Sequence, residues 1–234
     1  MNEDQEIETY LSISQAQIGI YLFDIKNLKN LYKQQIKYNT EEKKIDLNIL
    51  DKFLEENIFK IEKLLGKFIQ SISLVIEDFE KNNIFFGLKK KIYKEKIDKK
   101  YLENLLIDAK DLFKENYQTE KIIHMVIDKY IIDDATYLSF PENLKGKNFS
   151  FELKFISVSN YFANEVEKIL EKYQIKISNY VDGNYVKNLF IEENFDLDVM
   201  VHKVQNGFNT NEVKLIPKYL QKKGFFEKFF QLFS

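Results

Sequence analysis

The spacing of apolar residues changes several times along this chain, and each change marks an element. From Ile7 to Tyr38, the short apolar stretches Leu11-Ser-Ile13, Ile18-Gly-Ile-Tyr-Leu-Phe23 and Leu28 to Tyr38 are separated by polar breaks at Ser14-Gln-Ala-Gln17 and near Lys26-Asn27. Runs of this length with such breaks predict three strands in a meander. From Ile45 the spacing becomes that of one helix face, with Leu47, Leu50, Leu54, Ile58, Ile61, Leu65 and Phe68 in a single stripe. Ile72 to Ile76 then reads as a buried strand, which completes a strand-strand-strand-helix-strand unit.

A second unit begins near Asn83. Ile84 to Tyr93 predicts a strand, Tyr101, Leu102, Leu105, Leu106, Ala109, Leu112 and Phe113 a helix over one buried face, and Ile122 to Ile132 another strand. Phe149, Phe151, Leu153 and Phe155 alternate with Ser150, Glu152 and Lys154, the period of two of a strand buried on one face. A helix with Tyr161, Phe162, Val166, Ile169, Leu170 and Tyr173 inward follows, then a short strand at Ile175-Lys-Ile177. Residues 192–217 are weakly periodic and contain Gly207 and Pro217, so they read as irregular linker with a possible strand from Leu197 to His202.

The last residues have the strongest pattern of all. On a helix of about 100° per residue, Phe225, Phe226, Phe229, Phe230, Leu232 and Phe233 share one arc, and Glu227, Lys228, Gln231 and Ser234 face away. Lys214, Lys218, Lys222 and Lys223 precede this arc. Lysines flanking an aromatic face suit a helix lying in the interface of an anionic membrane, with Lys222, Lys223 and Lys228 beside the headgroups. The same pattern also suits a tail packed on the protein's own core or in a partner's groove.

Composition narrows the functional classes. With 234 residues, 44% of them hydrophobic, the chain can bury a proper core. A formal charge of −2 and a pI near 5.9, with lysines interleaved among acids, argue against a nucleic-acid partner. All the basic residues are lysine, a bias that carries little functional weight. With no cysteine, disulfides and thiolate metal sites are excluded. The acidic start, Met1-Asn-Glu-Asp-Gln-Glu6, lacks the pattern of a signal peptide, and no apolar run approaches the roughly 18 residues of a membrane span. The expectation is a cytoplasmic protein whose membrane contact, if any, is peripheral.

Residues 120–181 resemble the inserted subdomain of the actin-like bacterial division protein FtsA. The residues that carry the resemblance are Glu120-Lys-Ile-Ile-His124, Tyr130-Ile-Ile-Asp133, Pro141-Glu-Asn-Leu-Lys-Gly146, Phe155-Ile-Ser157 and Val166-Glu-Lys-Ile-Leu-Glu-Lys172. Ser71 to Ile76 and the helix from Tyr101 to Phe113 stand where that family has the strand leading into the subdomain and its first helix. The aromatic tail is similar to the family's membrane-targeting sequence. Together these touch residues 7–190 and 212–234.

The resemblance implies an α/β (α+β) fold: a truncated actin-like (ribonuclease H-like) subdomain with an inserted strand-helix-strand-strand subdomain. The implied division is 1–82 with 178–195 for the first, 83–177 for the second, a linker at 196–217 and a membrane helix at 218–234. The implied function is a non-catalytic adaptor in cell division, peripheral on the inner face of the cell membrane, with other division proteins or a full-length actin-like homologue as partners. The alternative is a soluble interaction module whose last helix docks on itself or on a partner.

Two departures limit the carry-over. The residues between Ile191 and the tail are too few for the family's second actin-like half, so contacts made through that half, including those to the tubulin-like division polymer, are not carried over. The family's first phosphate hairpin, with its acid, glycine and hydroxyl, corresponds to Ser12-Ile-Ser-Gln-Ala-Gln17, which lacks the acid and the glycine. Neither ATP nor any other cofactor is therefore expected.

The remaining chemistry reads as structural. His124 and His202 do not have metal-ligand spacing, and His124 is expected as a half-buried, hydrogen-bonded strand residue. Asp133-Asp134 reads as turn chemistry and Asp182-Gly183-Asn184 as a turn or helix entry. Lys89-Lys-Lys91 with Lys94, Lys96, Lys99 and Lys100 reads as a solvated basic face.

Overall fold

A computed structural model describes residues 6–38, 45–77, 81–91, 99–141 and 146–214, with the side chains of 90–91 and 99–101 excepted. The chain divides into two units, residues 1–81 with 159–206 and residues 82–158 with 207–234. The tail residues Phe225, Phe226, Phe229, Phe230, Leu232, Phe233, Lys222, Lys223 and Lys228 lie outside the described residues, as does most of the lysine run that begins at Lys89.

The first unit is built on the predicted meander. Strands β1 (Ile7–Ile13), β2 (Gln17–Asp24) and β3 (Lys29–Lys37) pair antiparallel in sequence. Helix α1 (Leu47–Leu65) follows, and β4 (Ser71–Ile76) returns parallel to β1. After the second unit come α3 (Asn160–Glu171), β9 (Lys176–Asp182), α4 (Gly183–Leu189) and α5 (Leu197–Gln205). β9 pairs parallel to β4, so the sheet order is β3-β2-β1-β4-β9. Antiparallel strands joined by tight turns and parallel strands joined by helical crossovers are what each connection length allows.

Local signals explain the helix ends. Asp46 caps α1 by accepting from the Asn48 amide, and Gly66, at φ 68°, closes it in the left-handed conformation that glycine adopts without strain. Because the helix stops there, Phe68 is 81% exposed instead of completing the inward stripe. Leu50, Phe53, Leu54, Ile58, Ile61 and Leu65 form the buried face. Tyr10, Tyr21, Phe23, Val75 and Val181 form a core with Val186 of α4, Phe190 just after it, and Val201 and Val204 of α5.

The second unit holds β5 (Lys81–Lys91), α2 (Lys99–Asn116), β6 (Glu120–Ile132), β7 (Ala135–Tyr137) and β8 (Asn148–Ser159), with sheet order β5-β8-β6-β7. The expected alternation holds: Phe149, Phe151, Leu153 and Phe155 are fully buried, with Leu102, Leu105, Leu106, Ala109 and Phe113 of α2 in the same core. Phe155 is the hub of its rings, with centroids 4.8 Å from Phe113 and 5.3 Å from Phe86. Leu112, placed inward by its spacing, is 41% exposed, because a stripe that already includes Ala109 and Phe113 leaves it beyond the buried arc.

The observed boundaries differ from the expected ones in two places. The first segment of the second unit ends at residue 158, not 177, because α3 packs on α1 and β9 hydrogen-bonds to β4, which keeps both in the first unit. On α3, Phe162, Ala163, Val166, Ile169 and Leu170 are buried, while Tyr161 is 75% exposed at the first turn. Residues 196–217 are not a plain linker: Leu197 to Gln205 form a helix where a strand was conceivable, with Asp198, Val201 and Val204 buried at helical spacing. Just beyond, the Ile127 amide donates to the Asn211 carbonyl (2.9 Å) and the Val213 amide to the Met125 carbonyl (2.8 Å), which lays this segment along β6.

Candidate functional site

In an open α/β sheet, ligands bind outside the carboxyl ends of the parallel strands. Here those ends belong to β1, β4 and β9, and the β1–β2 hairpin stands beside the first of them. A phosphate hairpin works by offering free backbone N–H groups to an anion. In this hairpin those groups already have acceptors. The Ser14 amide donates to the Gln17 carbonyl (2.9 Å), and the Ala16 and Gln17 amides donate to Ser14 Oγ (3.3 and 3.0 Å). Ser14 Oγ in turn donates to the Gln17 carbonyl at 3.1 Å, and the Tyr38 hydroxyl donates to the Ser14 carbonyl. The Ser14 hydroxyl therefore closes the turn on itself.

Two carboxylates that the sequence reading did not single out as a pair stand at the other strand ends. Glu77 follows β4, its amide donating to the Ile13 carbonyl of β1 at 2.9 Å, and its buried carboxylate is paired with Lys187 of α4. Asp182 ends β9, 3% exposed, with Lys81 Nζ at 2.8 Å. Asp182 Oδ1 also caps α4, accepting from the Asn184 (2.9 Å) and Tyr185 (3.3 Å) amides, so Asp182-Gly183-Asn184 is the helix entry its composition suggested. Gly183 is required by close approach: an added Cβ would lie 2.4 Å from Glu77 Cγ. Each carboxylate is neutralised by a lysine, and the glycine that lets α4 approach is filled against Glu77 rather than left as a cradle.

Other candidate residues fall into structural roles. His124 is 4% exposed on β6, and its Nδ1 lies 2.7 Å from Glu212, the residue bridged to Val126. It is more deeply buried than expected because the returning segment covers it. His202 lies on α5, with Nδ1 3.0 Å from Glu8 of β1. Asp133 and Asp134 both have positive φ in the β6–β7 turn, and the Asp133 carboxylate accepts from the Lys147 and Asn148 amides, which hold it below the usual carboxylate range. Among the described residues, no cluster of three potential metal ligands occurs, and no helix is long and apolar enough to cross a membrane.

The strand order and the element order define an α/β chain whose first unit carries a five-stranded mixed sheet, interrupted by a second unit with its own four-stranded sheet. No family model matches the chain. The flagellar motor switch protein FliM of Buchnera aphidicola subsp. Schizaphis graminum (strain Sg) is 27% identical over 262 aligned positions, covering 85% of this chain and 80% of that protein. That alignment is longer than the chain's 234 residues, so gaps interrupt it, and the identity is too low to assign a family.

Three solved structures are similar in form. They are the cytoplasmic domain of EpsL, an inner membrane component of the type II secretion system of Vibrio cholerae (10% identity, TM-score 0.36); the PilM-PilN type IV pilus biogenesis complex (9%, 0.49); and a Bacteroides thetaiotaomicron protein with an actin-like ATPase fold (11%, 0.33). The matches cover 77%, 80% and 82% of this chain but 57%, 51% and 60% of those chains, so this chain spans little more than half their length. At these TM-scores they assign no role.

Proposed function

We propose that this protein is a non-catalytic, membrane-associated adaptor of the FtsA-like kind, acting in bacterial cell division on the inner face of the cell membrane. On this reading its second unit docks other division proteins or a full-length actin-like homologue, and residues 218–234 dock the membrane. The observation that carries the proposal is where the tail starts. The segment before it is clamped to β6 through Asn211 and Val213, and His124 pairs with Glu212 beside that clamp, so Lys214, the first of the lysines before the tail, directly follows a segment held on the second unit. A membrane helix attached there would hold the partner-docking unit at the lipid surface. The hairpin that satisfies its own amides and the lysine-neutralised strand ends support a scaffolding role over a nucleotide-driven one.

The test is cosedimentation of the full chain with vesicles of increasing anionic-lipid content. Binding should rise with anionic content and weaken with added salt, since lysine contacts to a charged surface are screened over about 8 to 10 Å at 0.1 to 0.15 M. A chain that stays in the supernatant at every composition would favour the soluble interaction module, with the tail docked on protein.

A further inference from the structure

Among the described residues, three buried side-chain atoms have no hydrogen-bond partner: Asn30 Oδ1, Tyr130 Oη and Asp198 Oδ1. Two of the three belong to one contact. Asn30 Nδ2, at the start of β3, donates to Asp198 Oδ2, in the first turn of α5, at 3.0 Å. Asp198 is 2% exposed. The contact thus has one N–H donor and two stranded oxygens, and an ionised carboxylate can only accept, as can an amide oxygen. Stranding buried acceptors is costly, and one proton removes both defects. A neutral carboxylic acid donates from Oδ1 to Asn30 Oδ1 while Oδ2 keeps its bond from Nδ2, closing a two-bond ring. The terminal torsions of both side chains are broad enough to bring the two groups into one plane.

We infer that Asp198 is a protonated carboxylic acid in the folded protein, locked face to face with the Asn30 amide and joining α5 to the edge strand β3. Charges on every neighbouring element are compatible with this. On β3, Lys33 is paired with Asp196 at 3.7 Å, at the surface. On β1, the Tyr10 hydroxyl donates to Glu8, which also holds His202 one turn along α5. On β2, Asp24 is bound by the Asn27 side chain at 2.8 Å. Among the described residues no lysine forms an ion pair with Asp198; burial, with a smaller push from Asp196, raises its carboxyl above the usual carboxylate range, while the Asn30 bond, its own backbone amide and the Lys33 charge pull the other way.

The sign of the linkage follows. A carboxyl whose folded pKa is raised adds stability that is fully present below its unfolded value near 3.9, and that stability is lost as pH rises through the folded value. Asp198→Asn replaces the acid by an amide that forms the same two-bond ring at any pH. Its melting temperature should match that of the native chain within about 2 °C at low pH and show a flatter dependence as pH rises above the ordinary aspartate value of about 3.9. The carboxyl carbon of Asp198, followed by NMR in the native chain, should keep its protonated shift after exposed aspartates have ionised. Titration of that carbon together with the exposed aspartates would overturn the inference. So would stabilisation of the native chain, but not of Asp198→Asn, by calcium or magnesium, which would make the stranded oxygens cation ligands.

Discussion

Phe226→Glu combined with Phe230→Glu is expected to abolish binding of the full chain to anionic vesicles. The two rings lie in the middle of the aromatic arc of residues 225–233. Burying each of them contributes roughly 1.5 to 3 kcal/mol before ordering costs, so removing both weakens attachment on the order of a hundredfold or more. The two added carboxylates also oppose the anionic surface that Lys222, Lys223 and Lys228 favour. Phe226→Leu with Phe230→Leu keeps the apolar face and should retain most of the binding, which separates loss of hydrophobicity from loss of a specific aromatic contact. Unchanged binding by the glutamate pair, measured by cosedimentation, would remove the tail from the account.

The second large effect concerns folding. Phe155→Ala removes the ring that touches both Phe113 and Phe86 in the core of the second unit. Large-to-small changes at such a site cost about 3 to 5 kcal/mol, and the two aromatic pairs add to it. Against a domain stability of about 5 to 15 kcal/mol, that should leave the second unit partly unfolded at room temperature, visible as an early denaturant transition. A midpoint unchanged from the native chain would mean that the Phe155 site is not the tightly packed core described here.

What could be read from the sequence tracks how local the determining physics is. Elements α1, α2, β8 and α3 each bury one regular face, which writes its period into the sequence, whereas β1 and β2 are buried almost throughout and show as apolar runs between polar breaks. The α5 helix leaves little trace in the sequence because it is short and because one residue of its inward face is Asp198, which breaks the apolar count that periodicity relies on. β7 has three exposed residues, so no pattern marks it. β9 was underestimated because its middle is polar: Ser178 and Asn179 hydrogen-bond toward β4, and only Val181 and Asp182 are buried.

The candidate site was legible only in part. That Ser12 to Gln17 holds neither glycine nor acid is plain in the sequence, but that Ser14 takes up the Ala16 and Gln17 amides depends on the turn conformation. Glu77 and Asp182 lie far apart in sequence and become neighbours because β4 and β9 pair with Ile76 opposite Asp182, with Gly183 leaving room for the Glu77 side chain. The pairing of Glu212 with His124 likewise arises from a return of the chain to β6 that no local signal announces.

The central claim is that the aromatic face of residues 225–233 enters the acyl region of an anionic bilayer. The chain contains no tryptophan, so Phe229→Trp places a single reporter on that face. On addition of anionic vesicles, its emission should shift to the blue and be quenched by lipids brominated along their acyl chains. Emission that is unmoved by vesicles and insensitive to brominated lipid would contradict the account.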